Sequence, residues 1–237
     1  MIPITHPKVA GFEPRWARFA GFSVLFNSHG DSAFLDGLAW TIEHLGRNDL
    51  IRRHLFCPLP PPSFHVTVWD GVNAENVDHL PASQRESWGR FLAGMPHPQT
   101  PAPAALGLVT HSILMQRPPQ PIDFVFDDWT IWGESVLVTR LKAADEVSAA
   151  RLATLRADRT ELDTRFREAL GIGADHTYEP HVSLGYFADP AGARSAMREL
   201  VGWNALAKER LGHTRLTFST LGIYGFADMS AFVRLGT

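Results

Sequence analysis

One four-residue phrase occurs twice in the chain, half its length apart, as His65-Val66-Thr67-Val68 and His181-Val182-Ser183-Leu184. Apolar residues at every second position mark a strand, and side chains alternate faces along a strand. Each phrase therefore projects its imidazole and its hydroxyl together, while Val66 and Val68, or Val182 and Leu184, face the other way. If the two strands meet in space, two titratable nitrogens and two hydroxyls converge on a small volume. Any fold for this chain has to account for both copies.

The segments around the phrases follow a matching order. Gly21–Phe26 reads as a buried strand, and Asp31-Ser32 is expected to cap a helix reaching about Gly46. The proline cluster Pro58-Leu59-Pro60-Pro61-Pro62 reads as a stiff loop aiming the first phrase strand, about 64–69, rather than as a ligand for a polyproline-binding domain. Pro81-Ala82-Ser83 opens another helix ending near Met95. The proline-rich stretch of about 96–105 is the candidate crossing between halves. Strands are expected at about 105–114, 122–126 and 135–141, then a long helix over about 144–170 stopped by Gly171 and Gly173. The second phrase strand, about 181–187, precedes a helix from Asp189-Pro190 to about Leu211, and strands near 214–219 and 232–235 close the chain. Helix, phrase strand, helix, strand thus occurs twice. The echo predicts an α+β fold of two similar lobes within one bilobal domain, 1–237, with two mainly antiparallel sheets flanking a central cleft and helices outside.

Charge and composition narrow the function classes. A net charge of −3 argues against a sequence-independent grip on long nucleic acid, which needs many Lys and Arg contacts to phosphate. A small ligand or a nucleic-acid terminus is not excluded. The single Cys57 forms no intramolecular disulfide and suggests a reducing compartment. No secretion signal opens the chain, and no run approaches a membrane span. A cytoplasmic monomer is the expectation.

The residue types in the phrases suit acid–base chemistry on a phosphodiester. Imidazole has an unperturbed pKa of about 6.5, so near neutrality one His can accept a proton while the other donates one. Thr67 and Ser183 can donate hydrogen bonds to non-bridging phosphate oxygens as charge grows. On strict alternation the next residue on the His face is Trp69 in the first strand, placed to wall the pocket or stack on a base, and Gly185 in the second, which leaves room. Tyr178, ahead of the second phrase, is a candidate contact at the cleft rim. A cation is also expected. Arg52, Arg53 and Arg140 are candidates, whereas Arg151, Arg156, Arg159, Arg165 and Arg167 interleave with acids in the manner of a solvated helix face. No ligand spacing for a metal is present: there is no H-x-x-x-H and no Cys pair, and although His176 and His181 are five apart, the segment between them turns at Pro180. No cofactor is expected.

Two H-x-[ST]-x phrases on strands half a chain apart resemble the 2H phosphoesterase superfamily. Phe64 before the first phrase and Glu179-Pro180-His181-Val182-Ser183-Leu184-Gly185 carry the likeness further. The resemblance implies a bilobal α+β fold with a pseudo-two-fold axis through the cleft. It implies metal-independent opening of a cyclic phosphodiester, on a 2′,3′-cyclic phosphate of a nucleotide or RNA end or on an ADP-ribose cyclic phosphate. His65 and His181 would form the acid–base pair, with His181 the base on water and His65 the acid, and Thr67 and Ser183 would hold the phosphate. RNA end-joining or 3′-end trimming in the same cleft, and a non-catalytic nucleotide- or RNA-binding module, are the alternatives.

Overall fold

Gly21–Phe26 is buried at every position, the pattern of a strand covered on both faces. It is the third of eleven strands in the computed structural model, which describes residues 4–11, 15–26, 32–118, 120–173 and 177–236. In chain order these residues form β1 (Val9–Gly11), β2 (Arg15–Trp16), β3 (Gly21–Phe26), α1 (Ala33–His44), α2 (Arg47–His54), β4 (Phe56–Pro58), β5 (Val66–Asn73), α3 (Ala82–Ala93), α4 (Leu106–Thr110) and α5 (Ile113–Gln116). There follow β6 (Ile122–Trp132), β7 (Val136–Ala143), α6 (Glu146–Leu170), β8 (His181–Phe187), α7 (Pro190–Met197), α8 (Leu200–Leu211), β9 (Leu216–Phe218), β10 (Leu221–Phe226) and β11 (Val233–Arg234).

Apart from the small β1–β2 pair, the strands form one sheet in the order β11-β10-β3-β5-β8-β7-β6-β9, with β4 added alongside β8. Every pairing is antiparallel. The path divides at its middle into two sets of four. β5 and β8, the phrase strands, are the innermost members, and a single residue pair, Val66↔Val182, joins them. The two antiparallel sheets expected around the cleft are thus two halves of one path meeting at the motifs. Each half contains the same unit, strand, helix, phrase strand: β3, α1, β5 in one and β7, α6, β8 in the other. α6 packs against β5, β6 and β7, and α8 against α1 and β6.

Local chemistry explains most boundaries. Ser32 caps α1 by accepting from the Leu35 amide at 3.3 Å; Asp31, the other expected cap residue, lies outside the described residues. Asp145 caps α6 through the Ser148 amide at 2.8 Å, and Gly171 ends it at φ 73°, where only glycine sits without strain. Gly133 and Glu134, both at positive φ, close the β6–β7 hairpin tightly.

Two expectations need correction, and one strand was not foreseen. The strand expected at about 105–114 is two short helices, α4 and α5: Leu106 and Val109 are buried at helical spacing, and Ser112 caps α5 through the Met115 amide. The single helix expected from Pro190 to Leu211 breaks between Met197 and Leu200 into α7 and α8. β10 was not expected because Gly222 and Gly225 interrupt its apolar run. A Cβ on Gly225 would lie 2.6 Å from Met95 Sδ, so close packing dictates that glycine.

Candidate functional site

The proline cluster is where the first histidine is set. β4 pairs with β8 through Cys57↔Tyr186 and Pro58↔Gly185, and the Leu59 amide donates to Leu184 O at 2.9 Å, so the lead-in is fastened to the strand carrying the second phrase. Pro61–Ser63 then makes one 3₁₀ turn, closed by the Ser63 and Phe64 amides on Pro60 O and Pro61 O. That turn aims the Ser63 carbonyl at His65, whose Nδ1 lies 2.7 Å from it.

The second histidine is held in the same way. His181 Nδ1 lies 2.8 Å from Glu179 O, again the carbonyl two residues upstream. A carbonyl only accepts, so each Nδ1 carries the proton, and the Nε2 edge of each ring is turned away from that carbonyl. His65 Nε2 sits 3.2 Å from Thr67 Oγ1. An aromatic ring backs each imidazole, Phe232 at 4.1 Å from His65 and Trp132 at 4.4 Å from His181, centroid to centroid.

The pair Val66↔Val182 decides the rest of the geometry. Directly opposed residues share a face, and both valines are fully buried. Their neighbours therefore point to the opposite face, where Thr67 and His181 line one cavity. Burial pushes the His65 pKa down to about 4, and the nearby His181 pushes the same way, against the Ser63 bond and Asp70. His65 is accordingly neutral at pH 7, with Nε2 as a free base.

Both strands slip register directly after the phrase. On β5, Leu25 pairs with Thr67 but Val24 with Trp69, which skips Val68. On β8, Val138 pairs with Ser183 but Leu137 with Gly185, which skips Leu184. Such an extra residue re-aims the side chains beyond it. This overturns the expectations for the fifth residues. Trp69 is not on the cleft face; it is 1% exposed, donates from Nε1 to Asp163 Oδ1 at 3.2 Å and packs edge-on against Phe166. Gly185 leaves no room in the cleft, since a Cβ there would lie 2.4 Å from the Phe56 ring and 2.5 Å from Cys57 O.

Past Val66↔Val182 the two phrase strands part, and a cavity of about 340 Å³ opens in the fork. Thr67, Val68 and Asp70 line one prong, Thr177, Tyr178, Glu179 and His181 the other, with Trp132 and Arg159 completing the wall. Tyr178, expected at the cleft rim, lines the inside of this cavity and is 6% exposed. Asp70, which the slip carries onto the cleft side, accepts from Ser23 Oγ at 3.2 Å.

The expected cation is none of the three candidates. Arg53 pairs with Glu199, Arg140 is taken by Asp127, Asp128 and Glu179, and Arg52 is exposed. The arginine in the cavity is Arg159 of α6, read from the sequence as part of a solvated face but only 7% exposed. Its Nε donates to Val68 O at 2.8 Å, while Arg156 of the same helix donates to Tyr178 O at 3.2 Å, so α6 bonds both prongs where they separate. A sequence signal did exist: Arg159 is three residues before Leu162, on the apolar stripe. Among the described residues no group of three or more His, Cys, Asp or Glu has the arrangement of a metal site. His176 lies outside the described residues.

No protein-family model matches the chain, and no curated protein matches it. Among solved structures, a conserved protein of unknown function, ATU0111 from Agrobacterium tumefaciens str. C58, overlays with a TM-score of 0.63 at 16% identity, covering 95% of this chain and 88% of that one. A phosphoesterase overlays with a TM-score of 0.47 at 13% identity, over 92% and 95% of the two chains. Usb1 of Kluyveromyces marxianus, solved with uridine monophosphate, overlays at 0.36 and 14% identity, over 92% and 97%. The first likeness is one of fold, and overlays as loose as the other two carry nothing further. No helix among the described residues is long and apolar enough to cross a membrane.

Proposed function

We propose that the chain is a 2H-type phosphoesterase that hydrolyses a cyclic phosphodiester, such as the 2′,3′-cyclic phosphate of a nucleotide or RNA end, without a metal ion. The observation that carries this reading is the duplicated histidine setting: two imidazoles, each fixed through Nδ1 by the carbonyl two residues upstream and each followed two residues on by a hydroxyl, flank one strand pair. A binding module has no need of two oriented titrating nitrogens. Hydrolysis needs both, one to take a proton and one to give it.

In this reading the phosphodiester lies across Thr67 and Ser183, whose hydroxyls donate to its non-bridging oxygens. His65, half-buried and kept neutral by the desolvation of its ring, takes a proton through Nε2 from water as the water oxygen bonds to phosphorus. The bond from phosphorus to the ester oxygen breaks, and His181 gives that oxygen a proton. This order reverses the one implied by the family resemblance. The substrate's negative charge raises the His65 pKa towards neutrality, closer to the value best suited to a general base. A 340 Å³ cavity is near the lower end of the range for small-molecule sites, which favours a mononucleotide-sized group over an RNA duplex.

The test is turnover of a panel of 2′,3′-cyclic nucleotides, a cyclic-phosphate-ended oligoribonucleotide and ADP-ribose 1″,2″-cyclic phosphate, with EDTA present, by the native chain and by His65→Ala and His181→Ala. Hydrolysis in EDTA that both substitutions remove supports the reading. Hydrolysis that survives either substitution, or that EDTA abolishes, sinks it.

A further inference from the structure

Arg159 and Tyr178 are buried polar groups with unmet demands in the same cavity. Arg159 is 7% exposed, and among the described residues no carboxylate lies within ion-pair distance of it. Among the described residues its one hydrogen bond is from Nε to Val68 O, which fixes the plane of the guanidinium and leaves both terminal nitrogens available there. Tyr178 is 6% exposed, lies under that guanidinium at 5.4 Å from ring centroid to Cζ, and its hydroxyl has no partner among the described residues. A guanidinium that faces the cavity without a counter-charge and a buried hydroxyl without a bond both favour an added acceptor. One anionic group with two or more oxygens satisfies both, because a planar guanidinium presents paired donors to such a group and the phenol adds a third.

We infer that Arg159 and Tyr178 form a second anion site, so that the molecule bound here carries a terminal phosphate at its non-reacting end in addition to the phosphodiester. The fork sets the two apart along its prongs: Tyr178 precedes His181 by three residues, at most about 10 Å of extended chain, while Arg159 reaches β5 at Val68, one residue past Thr67. Asp70 also faces the cavity, but it is exposed, bonded to Ser23, and makes no ion pair with Arg159. The description of this molecule as a substrate rests on the phosphodiesterase reading, whereas the anion site itself does not.

The experiment is a titration of the full chain with inorganic phosphate at constant ionic strength, followed by NMR at the Arg159 Nε–H and at the His65 and His181 imidazoles. Two separate midpoints are expected, one reported by Arg159 and one by the histidines. Arg159→Gln should remove the first and keep the second, Tyr178→Phe should weaken the first several-fold, and Thr67→Ala should weaken only the second. A single midpoint shared by all three side chains would place Arg159 on the reacting phosphate and overturn a second site. An Arg159 Nε–H that phosphate does not move would overturn it as well. Since the native chain alone gives this readout, a poorly folded variant does not blunt it. Phosphate binding at Arg159 in a protein that turns over no cyclic phosphodiester would refute the enzymatic reading while leaving the anion site standing.

Discussion

β5 and β8 agree through four residues and part at the fifth. Each begins with a histidine fastened by the carbonyl two positions back, alternates buried and half-buried through the phrase, and slips register after it. Beyond the slip, β5 sends Trp69 into the core, where it bonds Asp163, while β8 has Gly185, against which β4 closes. Positions that face the cleft are matched, and those that face packing differ with what each half must bury. Chemistry shared across the join constrains the first four residues, and volume constrains the fifth.

The comparison can be broken most severely at the histidines. His65→Ala and His181→Ala should each lower kcat by about 10²–10⁴-fold, about 3–5 kcal/mol of barrier. The double variant should lose far less than the product, because the pair acts in one step; steady-state kinetics that multiply would show the two copies working independently. At the fifth position the effect moves from rate to stability. Trp69→Ala should cost about 3–5 kcal/mol in chemical denaturation through the void it leaves. The hydroxyls come next: Thr67→Val and Ser183→Ala should each raise the barrier by about 1.5–3 kcal/mol, the worth of a hydrogen bond to a charged group. Unequal losses there would show on which side charge builds. Gly185→Ala should destabilise by about 1–3 kcal/mol as Phe56 and the β4 backbone are forced away.

The smallest effects concern protons. His6 and His65 are both held near pKa 4, chiefly by burial. The unfolded chain titrates near 6.5, so between pH 6.5 and 4 it binds protons that the folded chain does not. Stability should therefore fall as pH drops through that window, and His65→Gln should reduce the slope in a pH series of denaturation midpoints. The acid limb of kcat/KM, which reports the free protein, should lie near 4, and that of kcat should lie higher because bound phosphate favours the imidazolium.

The sequence carries the phrases, the strand–helix–strand echo and the main caps because each is a local pattern: His65 and Thr67 two apart, Asp145 three before the amide it accepts, Gly171 at a helix end. It does not carry the register slip, since nothing within Val68-Trp69 reports how β3 pairs with it, and strict alternation then misdirects Trp69 and Gly185. Arg159 was hidden for a related reason. Its neighbours along α6 are charged, and its burial comes from β5 and Tyr178, distant in sequence. The turn at Ser63 that orients His65 shows only as prolines.

The lone Val66↔Val182 pair has a mechanical meaning. Within the sheet the two four-strand panels share one residue pair, and beyond it α6 ties both prongs, through Arg159 to Val68 O and Arg156 to Tyr178 O. The fork is therefore a braced wedge rather than a free hinge. The phrase residues sit at its apex, and the width of its opening is held by a helix that spans it rather than by strand pairing.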